Sequence, residues 1–366
     1  MMARFRKKFS DDVDAVTPII STLLLITIML TIISAILYWS IPAMNRISWD
    51  TEYRTTMAGY EALDAALEDT VQGGVAGSTR TVRISVPNGD LISYPRSTRW
   101  FYSYSYFSDT DFEIYGLDEE LDGEETDITT IRVFIQRDFT FDLEVTWYGD
   151  TETNTTLLNN HVFGEDIAIT YPLLPREATH LGNEDVNLVH FRLMYNSNGT
   201  VFGEAYLIPM DRLEVKIPSE FGTAHIVSEN AGIMVKFPTR TVVNPPLLTY
   251  GEGSDELYFN IVRLNVSGIS SVGRGNWKVS MRLQDTNFTR TDDVYNVRIR
   301  MMGEYSEAWV VYMLGEYRSL ENTDDHSLSD VAHEEQQGVK LIREPGEERV
   351  TMKILRSTVL LDIEGV

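Results

Sequence analysis

Cysteine is absent from all 366 residues, so neither a disulfide framework nor a thiol nucleophile is available to this chain. Metal and nucleophile signatures are missing as well. His326 and His333 lie seven apart in an acidic stretch, and His333-Glu334-Glu335 lacks the second histidine of an H-E-x-x-H pair. Ser78, in AGSTR, does not sit in a G-x-S-x-G elbow. Asp109, Asp111 and Glu113 alternate as calcium ligands do, but the glycine that turns an EF-hand loop is missing, so a solvated loop is expected. These gaps predict no metal, no cofactor and no enzyme activity. The competing class, an extracellular hydrolase, requires convergent carboxylates or a Ser/His/Asp set assembled by folding.

Lysine is scarce. Beyond residue 48 only Lys216, Lys236, Lys278, Lys340 and Lys353 occur, against 21 arginines. Residues 1–48 hold five of the 31 basic and three of the 55 acidic residues, which leaves 26 basic and 52 acidic ones, a net of -26, in the rest. That excess repels phosphates and disfavours nucleic acid as a partner. It suits a salt-rich medium, where repulsion is screened, and it equally suits an ordinary acidic secreted domain.

Charge of either sign is missing from residues 16–41, an apolar run of 26 residues. As a helix it measures about 39 Å, longer than a hydrocarbon core of roughly 30 Å, so it spans a bilayer with some tilt. A secretory h-region is shorter, about 7–15 residues, and ends at small residues, whereas this run exits through Ser40-Ile41-Pro42-Ala43. Arg4, Arg6, Lys7 and Lys8 precede it, and the positive-inside rule keeps such a cluster cytoplasmic. The remainder is then extracellular. Four N-x-[ST] acceptors, Asn154, Asn198, Asn265 and Asn287, all follow the apolar run and are candidate glycosylation sites.

Past the apolar run, Met57, Tyr60, Leu63, Leu67 and Val71 recur at three or four residues with Asp64, Glu68 and Asp69 between them, predicting an amphipathic helix. Pro42 marks a candidate kink at its start, and Gly73, Gly74 and Gly77 its end. From Ser78 the pattern alternates. TVRISV, RWFYSYSYF, ITTIRVFIQ, TFDLEVTWY, VNLVHFRLMY, AGIMVKF, ELYFNIVRLNV, NWKVSMRL, YNVRIRMM, AWVVYML and VTMKILRSTVLL all read as strands. One hairpin places Val189, Phe191, Leu193 and Tyr195 on one face, turns at 196–199 and returns through 201–208. The Trp100–Tyr106 aromatics are either alternating sheet residues or the lining of a sugar groove. Acidic stretches 117–127 and 321–338 read as surface loops.

The expected fold is mainly β: one N-terminal transmembrane helix, extended by an amphipathic one, then a sandwich-type ectodomain. Nearly 290 β-rich residues exceed one typical sandwich, which favours two modules. The expected divisions are a charged cytoplasmic region 1–15, the transmembrane helix 16–41, a helical stalk and Gly-rich turn 42–77, and β modules 78–175 and 176–366.

The entry to the apolar run, Ala15-Val16-Thr17-Pro18-Ile19-Ile20, resembles the class III signal of archaeal type IV pilins and flagellin-like proteins. That resemblance implies a prepilin-type peptidase cutting between Ala15 and Val16, and retention of the helix afterwards. The segment from Tyr60 to Leu91, and the later SENAGIMVKF and VVNPPLL, are similar to a group of uncharacterised archaeal pilin-like membrane proteins. The partners so implied are membrane lipid, other pilin-like subunits and a prepilin peptidase. Thr17, Ser21, Thr22, Thr27, Thr31 and Ser34 suit close helix contacts, whether in lipid or in a filament. A permanently anchored adhesin or ligand-binding surface protein is the alternative.

Overall fold

The computed structural model describes residues 3–107, 118–121, 124–133, 140–149, 153–162, 167–172, 186–195, 198–220, 222–237, 240–244, 256–267, 271–306, 308–309, 311–312, 327–330, 338–342 and 349–366. Two compact units divide the chain, residues 1–55 and 56–366. One helix, α1 (Ala3–Gln72), contributes to both.

In the first unit the helix is long and apolar enough to cross a membrane. Its apolar side chains stand exposed from Ile20 to Ile47, Leu24 at 59 % and Trp39 at 83 %. Thr27 and Thr31 donate their hydroxyls to the carbonyls of Leu23 and Thr27, both at 2.8 Å. Such i−4 bonds satisfy a hydroxyl without help from water, as a helix in lipid demands. Helical structure runs through Pro18 and Pro42 without interruption, so the stalk is no separate helix.

The second unit opens with the last turns of α1. Tyr60, Leu63, Leu67 and Val71 are fully or almost fully buried, as their spacing predicts. Gly74 and Gly77, at φ 62° and 86°, turn the chain out of the helix.

Strands follow: β1 (Thr79–Val86), β2 (Asp90–Ser105), β3 (Asp118–Leu121), β4 (Glu124–Val133), β5 (Thr140–Tyr148) and β6 (Thr153–Val162). Next come β7 (Ile167–Pro172), β8 (Leu188–Tyr195), β9 (Val201–Ser219), β10 (Gly222–Glu229), β11 (Gly232–Phe237) and β12 (Arg240–Asn244). The last are β13 (Glu256–Ser267), β14 (Ser271–Val272), β15 (Gly275–Met302), β16 (Ser327–Asp330), β17 (Gly338–Ile342) and β18 (Val350–Gly365).

Fifteen strands form one mixed sheet along the path β12-β11-β10-β9-β2-β15-β17-β16. A wing β6-β5-β8 joins at β9, and a second wing β18-β13 joins at β15, with β1 on β15 and β14 on β2. Strands β3, β4 and β7 form a small separate sheet. Among the described residues, pairing is antiparallel except between β13 and β18. Strands on the two sides of residue 175 hydrogen-bond to one another, β2 to β9 and β15, and β5 to β8.

Length makes this connectivity possible. The first half of β15 pairs with β1 and β18, its second half with β2 and β17. Register shifts at Leu283/Asp285 and Thr291/Val294 bend it between the two. The segments NWKVSMRL and YNVRIRMM, read above as two strands, are therefore one. Trp100, Tyr102, Tyr104, Tyr206 and Ile208 on β2 and β9 pack with Phe259 and Ile261 on β13, Ile299 and Met301 on β15, and Met352 and Ile354 on β18. The opposite face of β9, with β5 and β8, buries a second cluster that includes Val145, Val189, Phe191, Phe202 and Leu207.

Two further expectations need correction. Within AWVVYML the described residues Ala308, Trp309, Val311 and Tyr312 are helical and not extended. The amides of Ala308 and Trp309 both donate to the Tyr305 carbonyl, and Trp309 is wholly buried with its ring edge-on to Trp100, 5.9 Å between centroids. The acidic stretches read as loops also contain strands, β3 and the start of β4 in one and β16 in the other.

Candidate functional site

A cleft of about 860 Å³ opens in the β unit, lined from six strands or their ends. Its volume falls in the range of small-ligand sites, roughly 300–1,000 Å³. Strand alternation explains the lining. Leu188 and His190 face it from β8 while Val189 and Phe191 turn to the core cluster behind. Tyr206 and Ile208 enter from β9, and Ile261 and Arg263 from β13, each pair two residues apart, while β18 contributes the consecutive Arg356, Ser357 and Thr358. On β15, Gln284 and Asp285 are adjacent yet both line the cleft. The register shift at Leu283/Asp285 accounts for that, because a bulge breaks the alternation of faces.

Two rings of the lining, His190 and Tyr206, continue into the core through Tyr102. His190, Tyr206 and Tyr102 are cross-strand neighbours on β8, β9 and β2. His190 stacks on Tyr206 at 4.2 Å between centroids and 9° between planes, and Tyr102 stacks at 4.7 Å and 17°. Glu204, one alternation before Tyr206, accepts hydrogen bonds from the Tyr206 and Tyr104 hydroxyls. It also faces His190 Nε2 at 3.8 Å and Arg192 Nε at 3.6 Å, and Arg192 bonds Glu144 at 2.9 Å. Burial pushes the His190 pKa down, against the pull of Glu204, so the imidazole is held neutral at ordinary pH. Burial and Glu204 together push the Tyr104 and Tyr206 hydroxyls well up, which keeps them as donors.

The cationic wall differs. The Arg356 guanidinium lies 5.5 Å from the Tyr206 ring centroid, and its buried Nε has no hydrogen-bond partner among the described residues. Arg263, by contrast, donates from Nε to the Pro209 carbonyl at 3.2 Å. Ser357 and His190 line the same cleft, but the Ser357 hydroxyl is 3.2 Å from that of Thr286, and no hydrogen bond among the described residues joins it to the imidazole. The arrangement is a set of donors, acceptors and rings around a concave space.

A second polar cluster is buried around Arg212, and within it Arg212 Nε, Glu214 Oε2 and Asn230 Nδ2 have no hydrogen-bond partner among the described residues. Arg212, 3 % exposed, forms an ion pair with Glu214 at 3.1 Å, donates to Glu304 at 2.9 Å and stacks on Tyr94 and Tyr305. His225 Nδ1 lies 2.6 Å from Glu214 Oε1. Nearby, Glu229 accepts from Thr98 at 2.7 Å and from Trp309 Nε1 at 3.0 Å. Asn230 and Ala231, both at positive φ, turn the β10–β11 hairpin, and the Asn230 side chain accepts the Val262 amide at 2.8 Å. This cluster secures the sheet.

Residues singled out in the sequence are dispersed. Ala15 and Val16 lie within α1. Asn154 is half-buried on β6, and Asn265 half-buried on β13. Asn198 is exposed at the β8–β9 turn, its side-chain oxygen accepting the Thr200 amide at 3.0 Å. Asn287 is exposed on β15 and lines the cleft. Ser78 sits in the turn before β1. His326, His333, Asp109, Asp111 and Glu113 lie outside the described residues. Trp100, Tyr102 and Tyr104 are buried core residues; the cleft's own tyrosines are Tyr148 and Tyr206. Among the described residues no group of His, Asp and Glu is arranged to hold a metal ion. Arg356, His190 and Gln284 carried no sequence signal, because they converge from separate strands. No protein-family model matches the chain, and no curated protein matches it.

Proposed function

We propose that this chain is a membrane-anchored extracellular pilin-like protein, a minor or accessory pilin or pseudopilin of a type IV pilus-like surface structure. The observation that carries this reading is the continuity of α1: exposed and apolar between Ile20 and Ile47, its last turns are built into the core of the β unit. A helix of this kind serves as lipid anchor and, against like helices, as assembly element. The cytoplasmic side is the N-terminal one, by the basic cluster Arg4 to Lys8.

Mass spectrometry of the mature N-terminus tests the reading. A chain beginning at Val16 supports prepilin-type processing, even though Asp14 stands where such signals often carry a basic residue. A start at Met1 supports the plain anchor, and one near Asn45 rejects both. Protease added to intact cells should digest the β unit and spare a short anchored fragment. Glycopeptide mapping decides whether Asn154, Asn198, Asn265 and Asn287 are modified.

A permanently anchored ligand-binding surface protein is the second reading. It is favoured by one observation, the polar, ring-walled cleft between β8, β9, β13, β15 and β18.

A further inference from the structure

The geometry points to a saccharide site in this cleft, selective for a carboxylate-bearing sugar of the uronate type, with Arg356 as the carboxylate anchor. The charges in the cleft carry the argument. Residues after 48 have a net charge of -26, yet this concave surface presents Arg356 without an ion-pair partner among the described residues. A guanidinium offers a planar fork of donors that matches a carboxylate. Its position beside the Tyr206 ring fixes the fork's approach.

Asp285 lines the same cleft from the β15 bulge, and it too lacks an ion-pair partner among the described residues. Arg356 and Asp285 thus face one space without closing on each other, while Arg263, the third charged group of the lining, is held at Nε by the Pro209 carbonyl. A simple inorganic anion would gain from Arg356 and be repelled by Asp285. An apolar ligand would strand both. A uronate satisfies both, because its carboxylate meets the arginine and its hydroxyls donate to Asp285.

The remaining lining agrees. Asn187, Gln284, Asn287 and Thr358 bring amide and hydroxyl groups, and only Leu188, Ile208 and Ile261 are aliphatic. Tyr148, half-exposed at the end of β5, supplies a ring for the C–H face of a sugar. The volume admits more than one sugar ring.

Titration calorimetry on the full chain in detergent micelles, with digalacturonate as probe, tests the proposal. Saturable binding is expected, and R356A should weaken it by about tenfold or more while leaving the circular-dichroism spectrum unchanged. The methyl ester of the same disaccharide should bind the unaltered chain as weakly as digalacturonate binds R356A, an arm that does not depend on the variant folding. D285N should weaken both sugars alike. The absence of saturable binding up to about 10 mM overturns the proposal. So does equal affinity for acid and ester, or competition by inorganic phosphate as effective as that by the sugar.

Discussion

Glu229 shows how a single side chain records its surroundings. It is 1 % exposed, and burial raises its pKa from 4.5 to about 7 although Thr98, Arg212 and Trp309 all favour the anion. The folded state therefore holds its proton more tightly than the unfolded one. Its contribution to stability is fully present below about pH 4.5 and is lost as pH rises toward 7, by roughly 3 kcal/mol. Glu229→Gln removes the ionisation while Trp309 keeps an acceptor and the Thr98 hydroxyl turns to accept. Urea denaturation across pH 4.5–8 should show a flatter stability profile for E229Q than for the unaltered chain, and a steeper fall in E229Q overturns this account. Arg212→Met leaves the fully buried Glu214 without its guanidinium partner and should cost about 3–5 kcal/mol, read from the same denaturation curves at pH 7.

Among the elements, the last turns of α1 follow their sequence pattern closely: Tyr60, Leu63, Leu67 and Val71 are buried and Met57 is half-buried. Leu63 and Leu67 are 0 % exposed, so Leu63→Ala should destabilise by about 2–5 kcal/mol, whereas substitution of exposed Glu61 should change little. The β1–β2 turn depends on a different constraint. A Cβ at Gly89 would stand 2.6 Å from the Lys216 carbonyl oxygen on β9, so the two backbones approach too closely for any other residue. Gly89→Ala should shift this contact and cost about 1–3 kcal/mol, visible as a lower midpoint in thermal unfolding. Polar β6 teaches the limit of patterning. TNTTLLNNHV has no clean alternation, yet it pairs along β5 and nothing pairs on its other side among the described residues. Edge position lets ladder hydrogen bonds outweigh composition.

For the whole molecule, division into an apolar helical unit and a β unit makes a direct forecast. Residues 56–366 hold the buried clusters and the cleft, while the exposed apolar side chains concentrate between Ile20 and Ile47. The full chain should therefore pellet with membranes and require detergent, and a chain trimmed to 56–366 should stay soluble with its β spectrum intact. Aggregation of the trimmed chain would mean that the helix before Thr56 is needed to keep the β unit folded.

The mainly β class, the membrane-length helix, the amphipathic face ending at the Gly-rich turn and the β8–β9 hairpin were legible in the chain, because each rests on local periodicity or on turn chemistry. Alternation says which residues share a face. It does not say which strand lies opposite. The merging of two runs into β15 depends on a bulge at Leu283/Asp285 that no local pattern marks. AWVVYML has the composition of a strand, yet Ala308, Trp309, Val311 and Tyr312 are helical, with Trp309 seated between Trp100 and Glu229. The cleft was the least legible feature. His190, Arg263, Asp285 and Arg356 are separated by tens of residues, and their convergence follows from the pairing of β8 with β9 and of β13 and β15 with β18, a non-local choice made by core burial.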